Sequence, residues 1–261
     1  MLNEFKVKFS ECKKDNVYYL DPVESFKEFS ELYTNVRKKE GRFYHDETLS
    51  KLPVISKQHL LYNEWKMREN TLKMLKKYLD NRNDIVNILD LGCGNSWMSN
   101  RLSEINGKNI FAIDVNNEEL KQAARVFKNE NLIIIHGDIF NLDSSFFRFD
   151  SIIISGVLSY FPNPKELIEK CITLLKPNGE LHLIDNLFYS SAEIQSASER
   201  SAIYFNELGY PEMSKHFFHL NEELLNNFST SIVYKPNRII NKLKKIIGSI
   251  YSPASWYCIR K

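Results

Sequence analysis

The sequence predicts an α/β fold in which a mostly parallel sheet carries helices on both faces. An apolar run at 88–94, Ile-Leu-Asp-Leu-Gly-Cys-Gly, contains a carboxylate, Asp90, and breaks into a glycine turn. Two further apolar runs end near Asp114 and Asp138, and each carboxylate lies 24 residues after the preceding one. That spacing accommodates one crossover helix between parallel strands, so the pattern predicts repeated strand–helix units.

Seven strands are predicted along the chain. The first five are short apolar runs bounded by turn signals. The last two lie near the C-terminus and are predicted to pair as an antiparallel hairpin. The predicted strands are the run ending at Asp90, Asn109–Asp114, Leu132–His136, Phe149–Ser155, Gly179–Asp185, Ser231–Lys235 and Ser255–Ile259.

The flanking segments are predicted to be helical caps. Residues 1–80 show no strand alternation, and Val23–Lys39 and Lys57–Tyr78 have helical character. Residues 81–261 form the predicted core, with a second cap inserted at about 187–229, where Tyr, Phe and His are dense. A chain of 261 residues fits one large domain or a core with an appended cap.

The glycine turn indicates a nucleotide or nucleoside site, because Gly92 and Gly94 let the backbone approach a ligand closely. A dinucleotide site would place a third glycine at 97, where the chain has the bulky Trp97. An S-adenosylmethionine site would place it at 96, where Ser96 is small but departs from the pattern. Asp90 suits an ammonium group better than a pyrophosphate. The turn therefore favours S-adenosylmethionine.

Four motifs in order strengthen that interpretation. They are Leu-Asp-Leu-Gly-Cys-Gly, the strand end at Asp114, Gly-Asp-Ile at 137–139 and Leu-Lys-Pro-Asn-Gly-Glu at 175–180. Together they resemble the core of class I S-adenosylmethionine-dependent methyltransferases over residues 85–186, about two-fifths of the chain. The resemblance implies a Rossmann-like sheet of seven mostly parallel strands and S-adenosylhomocysteine as the product. The flanks match no named activity.

Candidate cofactor-binding residues follow from the strand ends. Asp114 is expected to accept the ribose hydroxyls and Asp138 the adenine amino group, while Asp90 would lie near the methionine amino group. The glycine turn would line the methionine end, with Cys93 as a small filler and no nucleophile. The full predicted set is Asp90, Gly92, Cys93, Gly94, Asn95, Ser96, Asp114, Val115, Asp138, Ile139 and Ser155.

Catalytic candidates come from the fourth strand end and the second cap. Tyr160 follows the strand where related enzymes often place a residue facing the acceptor, although an aromatic packed under a cap fits equally well. His216 and His219 have an i, i+3 spacing that would put both on one helical face, but surface or pocket-lining histidines are the favoured interpretation. Weaker candidates in the first cap are Arg42, His45, Trp65 and Arg68.

Two substrate and cofactor classes are disfavoured. Asp185-Asn186 resembles the metal-binding strand end of catechol-type O-methyltransferases, but Ser155 replaces their second aspartate, so no metal is expected. The chain also lacks the Asn/Asp-Pro-Pro-aromatic turn of nucleic-acid amino-methyltransferases, and its net charge is only +2. A nucleic-acid substrate is therefore not expected.

The C-terminal region concentrates positive charge. From Ser229 to Lys261 there are seven Lys or Arg residues and no Asp or Glu. A basic amphipathic helix is predicted at 237–248; a packed helix with a solvated lysine face is favoured over peripheral membrane contact. We expect a cytoplasmic protein, because no apolar run approaches about 18 residues, the N-terminus shows no signal peptide and the four cysteines are scattered.

The sequence thus predicts in-line methyl transfer from S-adenosylmethionine to a small-molecule or lipid-linked metabolite. A non-catalytic S-adenosylmethionine-binding regulatory protein is the alternative, since Ser96 departs from the motif and no general base is fixed by one. An NAD-linked oxidoreductase is a third hypothesis, against which Trp97 argues. The acceptor atom and the oligomeric state stay open.

Overall fold

The computed structural model of the chain describes residues 1–237 and 250–261. The predicted basic helix at 237–248 lies almost entirely outside the described residues. Eleven strands occur in the described part, at Lys13–Lys14 (β1), Val17–Tyr19 (β2), Asn87–Leu91 (β3), Asn109–Asp114 (β4), Leu132–His136 (β5), Phe149–Ser155 (β6), Leu175–Ile184 (β7), Phe188–Tyr189 (β8), Leu220–Asn221 (β9), Thr230–Tyr234 (β10) and Trp256–Arg260 (β11).

The α-helices of the described residues flank these strands. They are Leu2–Lys8 (α1), Lys27–Lys39 (α2), Asp46–Lys51 (α3), Tyr62–Asp80 (α4), Trp97–Ser103 (α5), Asn117–Val126 (α6), Pro164–Leu174 (α7) and Ser191–Leu208 (α8). Short 3-10 turns link several of them, including Val23–Phe26 before α2 and Pro211–His216 after α8.

The main sheet has the strand order β1-β2-β5-β4-β3-β6-β7-β11-β10. The five strands from β5 to β7 in that order are parallel, and β11 and β10 continue the sheet as an antiparallel hairpin. These seven strands confirm the predicted Rossmann-like sheet. The strand count differs, because β1 and β2 extend the sheet to nine strands within the described residues.

The two additional strands correct the expectation that residues 1–80 contain no strand. They form a hairpin around Asp15 and Asn16, whose φ angles of 51° and 65° fit a tight two-residue turn. β2 then pairs in parallel with β5, placing Val17 opposite Ile134. The two predicted N-terminal helices are present as α2 and α4, in addition to α1 and α3. The predicted boundary at residue 80 stays a prediction.

Alternation along the buried strands divides the core into two layers. Leu89 and Leu91 face one layer, which α1 and α7 cover, whereas Ile88 faces the other, which α4, α5 and α6 cover. Helices therefore lie on both faces of the sheet, as predicted for doubly wound units. Because the register pairs Asp114 with His136 and Ser155 with Ile184, the carboxyl ends of the parallel strands meet at one edge.

The inserted segment after β7 folds as a second cover over that edge. It contains α8, which starts with a capping box between Ser190 and Glu193, and the two-stranded sheet of β8 and β9. A small apolar cluster joins this segment to α2 through Val36, Phe205 and Met213. The two covers are thus packed against each other.

Candidate functional site

A cavity of about 260 Å³ lies at the carboxyl edge of the parallel strands, beneath α2 and α4. Strand ends and the glycine turn form its floor, and the N-terminal helices form its roof. Its lining residues are Phe29, Tyr33, Arg37, Arg42, Tyr44, Glu64, Trp65, Met67, Arg68, Asp90, Gly92, Cys93, Gly94, Asn95, Trp97, Met98, Asp114, Glu119, Ser155, Gly156, Val157, Tyr160 and Asp185. The edge of a parallel sheet beyond its carboxyl ends is where α/β proteins commonly bind ligands.

The turn after β3 needs glycine for two reasons. Gly92 has φ of +70°, and a Cβ there would lie 2.5 Å from Val157 Cγ2. Gly94 has φ of +52°, and a Cβ there would lie 3.2 Å from Glu119 Oε2. Ser96 also has a left-handed backbone, with φ of +56°, and precedes α5. Serine therefore occupies a position whose conformation favours glycine, which accounts for the expectation of a third glycine there.

Asp114 connects the glycine turn to the end of β4. Its Oδ2 accepts the Gly94 amide at 2.8 Å, and its Oδ1 accepts the Asn116 amide at 2.8 Å. Burial raises the pKa of Asp114, and the backbone hydrogen bonds oppose that effect. The carboxylate lines the cavity, as expected of a ribose acceptor.

Asp90 lies deeper beneath the same turn and is 1% exposed. The Ser99 hydroxyl donates to its Oδ2 at 2.5 Å. Burial raises the pKa of Asp90 to about 7, with the Asp114 charge adding to the rise and Ser99 opposing it. Near neutral pH this carboxyl is therefore divided between its charged and neutral forms. Burial likewise raises the pKa of the Cys93 thiol well above its usual value, which fits a filler residue.

The predicted cofactor residues are only partly brought together. Of the predicted set, Asp90, the turn residues 92–95, Asp114 and Ser155 line the cavity, whereas Ser96, Val115, Asp138 and Ile139 do not. The Asp138 amide donates to Asp21 Oδ2 at 2.7 Å, and the Val115 carbonyl accepts from Ser30 Oγ. Residues from the N-terminal segment thus contact the turn that was expected to hold adenine. The roles of Ser96, Val115, Asp138 and Ile139 stay predictions.

The roof carries a chain of alternating charges. Arg37 Nη1 lies 3.1 Å from Glu40 Oε2, which also pairs with Arg42. Arg42 in turn pairs with Glu64, and Arg68 Nη2 lies 2.9 Å from the same carboxylate. Of the first-cap candidates, Arg42, Trp65 and Arg68 line the cavity, whereas His45 precedes α3 outside its lining.

Tyr160 lines the cavity, and its ring packs edge-on against Tyr33 and Phe217, with centroids 5.4 Å away in both cases. Burial raises the pKa values of Tyr160 and Tyr33, so both phenols keep their protons near neutral pH. The two predicted histidines lie outside the lining. They also do not share a helical face, because the 3-10 helix ends at His216 and the chain is extended up to His219.

Each histidine has a local partner instead. The His216 ring packs 5.4 Å from the Phe29 ring, and His219 Nε2 lies 3.0 Å from Ser201 Oγ. Burial lowers the pKa of His219. Their catalytic roles stay predictions without support from the cavity.

Several residues that line the cavity were absent from the predicted site, and two of them, Asp185 and Glu119, are carboxylates with raised pKa values. Asp185 follows β7 with φ of +56°, and Thr71 Oγ1 donates to its carboxylate at 3.4 Å. Burial raises its pKa, opposed mainly by Ser252 and Arg68. Glu119, in the first turn of α6, is 5% exposed. Asp185 could have been found from its place at a strand end, but nothing in the sequence separates Glu119 from its neighbour Glu118.

Asp185-Asn186, the strand end whose sequence resembles a metal site, uses its amide side chain for hydrogen bonds to the backbone. Asn186 Oδ1 accepts the Leu158 amide, and its Nδ2 donates to the carbonyls of Ile154 and Ile184. This amide therefore ties β6 to β7 and has no oxygen directed to a cation. That no metal takes part stays a prediction.

One buried group elsewhere has metal-ligand chemistry, formed by Glu180, His182 and Cys258. Glu180 already accepts from Arg82, Arg260 and Tyr78. His182 Nδ1 accepts from Trp256 Nε1 at 3.1 Å, which places the ring proton on Nε2. Two guanidinium groups and a protonated ring nitrogen oppose a cation, so this cluster is a structural network inside the sheet.

Comparison with known proteins gives the family. The model of the methyltransferase domain family matches residues 82–228, more than half of the chain. A malonyl-[acyl-carrier protein] O-methyltransferase of Halalkalibacterium halodurans is 27% identical over 160 residues, covering 58% of this chain and 59% of that protein. A ubiquinone biosynthesis O-methyltransferase of Coxiella burnetii is 30% identical over 96 residues, covering 36% and 41%. The chain thus spans roughly two-fifths to three-fifths of the length of these relatives.

Solved structures agree on the fold. The plantazolicin methyltransferase BpumL, in complex with a monoazolic desmethylPZN analog and SAH, superposes with a TM-score of 0.58 at 17% identity, covering 99% of both chains. Magnesium protoporphyrin IX methyltransferase (ChlM) from Synechocystis PCC 6803, with bound SAH, has a TM-score of 0.52 at 11% identity, covering 82% of this chain and 92% of that one. With the family match and the strand order, these findings show that the chain belongs to the methyltransferase domain family and has the class I S-adenosylmethionine-dependent methyltransferase fold.

Proposed function

We propose that this chain transfers the methyl group of S-adenosylmethionine to a small-molecule or lipid-linked acceptor, releasing S-adenosylhomocysteine. The observation that carries the proposal is one covered cavity that holds both the Asp114-linked glycine turn and the strand-end residues Ser155, Tyr160 and Asp185. A donor site and an acceptor site that share one cavity permit direct transfer, whereas a binding protein needs only the first.

The residues present fit the cofactor. The glycine turn and Asp114 would hold the nucleoside and methionine portions, and Arg42 or Arg68 in the roof could pair with a carboxylate. When bound, the cofactor supplies an electrophilic methyl group on a sulfonium sulfur. The protein must then position the acceptor atom in line with the methyl group and exclude water. The helices α2 and α4 cover the strand ends and would exclude water from the cavity.

The acceptor would bind beside the carboxyl ends of β6 and β7. Tyr33, Tyr160 and Phe29 form an aromatic wall there, and aromatic walls suit apolar or planar ligands. Asp185 directly follows β7 and lines the cavity, so its carboxylate is a candidate for accepting the acceptor's proton. Among the relatives, the one named for ubiquinone biosynthesis supports a small or lipid-linked acceptor. Those named for malonyl-[acyl-carrier protein] and plantazolicin support carrier-linked or peptidic acceptors instead, and a carrier-linked product would place label in the protein fraction.

Membrane contact and the cytoplasmic compartment remain part of the proposal. Within the described ranges, no helix has both the length and the apolar character required to cross a lipid bilayer. All four cysteines fall in those ranges and are free thiols, which fits a reducing compartment. The basic segment that would meet a lipid surface lies outside them.

The test uses methyl-labelled S-adenosylmethionine with purified protein and a host-cell extract. Products are divided into lipid, aqueous, protein and nucleic-acid fractions. We expect label in the lipid or aqueous fraction, lost in Asp114→Ala and kept in Asp80→Ala, which changes an exposed aspartate at the end of α4. Tight cofactor binding without label in any fraction, across extracts of several growth conditions, would favour the non-catalytic alternative.

A further inference from the structure

The first turn of α6 directs two adjacent glutamates to opposite environments. The Asn116 side chain caps this helix by accepting the Glu118 and Glu119 amides. Glu118 is exposed and pairs with Lys38 at 2.8 Å. Glu119 points inward, is 5% exposed and lines the cavity. The local geometry therefore buries one carboxylate of the pair in the site.

The Glu119 carboxylate is not satisfied by the protein. Its Oε2 is buried and has no hydrogen-bond partner among the residues that the structure describes. Arg37 supplies a nearby positive charge, but its Nη1 pairs with Glu40. Burying a carboxylate oxygen without a donor is costly, so this position calls for a donor that the described residues do not supply.

Packing gives no reason for a carboxylate at this position. The neighbours Leu120, Ala123 and Ala124 on α6 are fully buried apolar residues of the core. A side chain such as methionine at 119 could fill similar space without the desolvation cost. The glutamate is better explained by a donor that arrives with the ligand.

The position of Glu119 identifies which part of a ligand would supply that donor. Its Oε2 lies 3.2 Å from where a Gly94 Cβ would be, and the Gly94 amide itself donates to Asp114. The two carboxylates thus flank the same turn residue. Both oxygens of Asp114 already accept backbone amides, which leaves it fewer acceptor sites for a ligand.

A vicinal diol has two hydroxyl donors and matches two neighbouring carboxylates. Resting on the proposed function, we infer that Glu119 is a second ribose-binding residue, which accepts one hydroxyl of the cofactor while Asp114 accepts the other. The pair would select a ribonucleoside over a deoxyribonucleoside. Burial and the Asp114 charge raise the pKa of Glu119 to about 7, so a hydroxyl donor would favour its charged form.

The test measures binding by calorimetry, with S-adenosylhomocysteine and its 2′-deoxy and 3′-deoxy analogues as probes. The variants are Glu119→Gln and Glu119→Met, and Glu118→Gln is the matched control on the same helical turn. Thermal unfolding verifies that each variant is folded. Loss of one hydrogen bond to a charged acceptor should weaken S-adenosylhomocysteine binding roughly tenfold in the Glu119 variants and leave the control unchanged.

The analogues provide the decisive comparison. The wild type should bind both deoxy analogues more weakly than S-adenosylhomocysteine, and both Glu119 variants should lose this difference for one of the two analogues. Variants that keep the full discrimination against both analogues, because the three affinities stay unchanged or fall by the same factor, would overturn the ribose assignment alone. A wild-type chain that binds none of the probes would overturn the proposed function together with this inference.

Discussion

The Gly94 amide donates to the Asp114 carboxylate over 2.8 Å and joins the turn after β3 to the end of β4. This bond fixes the carboxylate at the cavity floor and satisfies a turn amide. Asp114 therefore has a structural partner as well as its expected ligand. Substitutions there should affect both the shape of the turn and cofactor affinity.

For Asp114→Ala we expect S-adenosylhomocysteine binding to weaken by roughly 10–100-fold, because a charged acceptor of a ribose hydroxyl is lost together with its bond to the Gly94 amide. Asp114→Asn should bind with intermediate affinity, since one amide oxygen still accepts. Calorimetry of both variants beside Asp80→Ala measures the effect. Unchanged affinity in Asp114→Ala would remove this residue from the site.

Gly92→Ala should destabilise the protein more than Gly107→Ala. Gly92 has φ of +70° and Gly107 has φ of +75°. Both substitutions therefore carry backbone strain of about 1 kcal/mol. A Cβ at Gly92 would also lie 2.5 Å from Val157, whereas a Cβ at Gly107 would have no described atom within 4 Å apart from its chain neighbours. Chemical denaturation should show the difference, and Gly92→Ala with Val157→Ala should recover part of it. Equal losses would show that Val157 moves aside freely.

Glu119→Gln should stabilise the ligand-free protein at pH 8 relative to the wild type. The folded-state pKa of about 7 lies above the ordinary 4.5, so ionisation of Glu119 opposes folding. The penalty is absent below about pH 4.5, grows between there and pH 7, and is constant above, on the order of 3 kcal/mol. Unfolding free energies at several pH values, with Glu118→Gln for comparison, measure it. A difference between variant and wild type that does not depend on pH would refute a raised pKa.

Tyr160→Phe should lower kcat at least tenfold while leaving S-adenosylhomocysteine affinity unchanged, if its phenol contacts the acceptor. The ring contacts with Tyr33 and Phe217 survive the substitution, so packing is preserved. His216→Ala and His219→Ala should change kcat by less than twofold, because neither histidine lines the cavity. Rates of label transfer measure kcat for the three variants. Larger losses in the two histidine variants than in Tyr160→Phe would restore the histidines as catalytic candidates.

Asp185→Asn should lower the transfer rate about 100-fold if its carboxylate accepts the acceptor's proton. In the wild type the rate should rise with pH through the pKa of Asp185, which burial places above its ordinary value. The variant should lack that rise and should keep its cofactor affinity. A variant with the wild-type pH profile would show that Asp185 serves only to shape the strand end.

The parallel core could be predicted closely because its strands are apolar on both faces. The predicted ranges for β4, β5 and β6 agree with the structure residue for residue. β7 begins four residues earlier than predicted, at Leu175, where it pairs with Phe149 before a bulge. The class I methyltransferase resemblance, which depended on these strand ends, is confirmed by the family match and the fold.

Features that depend on tertiary contacts could not be predicted. β2 has three residues, which is too short for alternation to be recognised, although Asp15-Asn16 is a turn signal. Glu118 and Glu119 look alike in sequence, and only the cap at Asn116 and the packing of α6 decide which one faces inward. The spacing of His216 and His219 predicted one helix that carries both, but the 3-10 helix ends at His216.

The N-terminal hairpin has a consequence for solubility. Without it, β5 would be an edge strand of sequence Leu-Ile-Ile-Ile-His, with unpaired backbone groups open to another chain. The hairpin covers that edge with β2 and ends the sheet at β1, whose two residues are the exposed lysines Lys13 and Lys14. A strand this short and this charged is a poor template for aggregation, so the first twenty residues protect the sheet that carries the site.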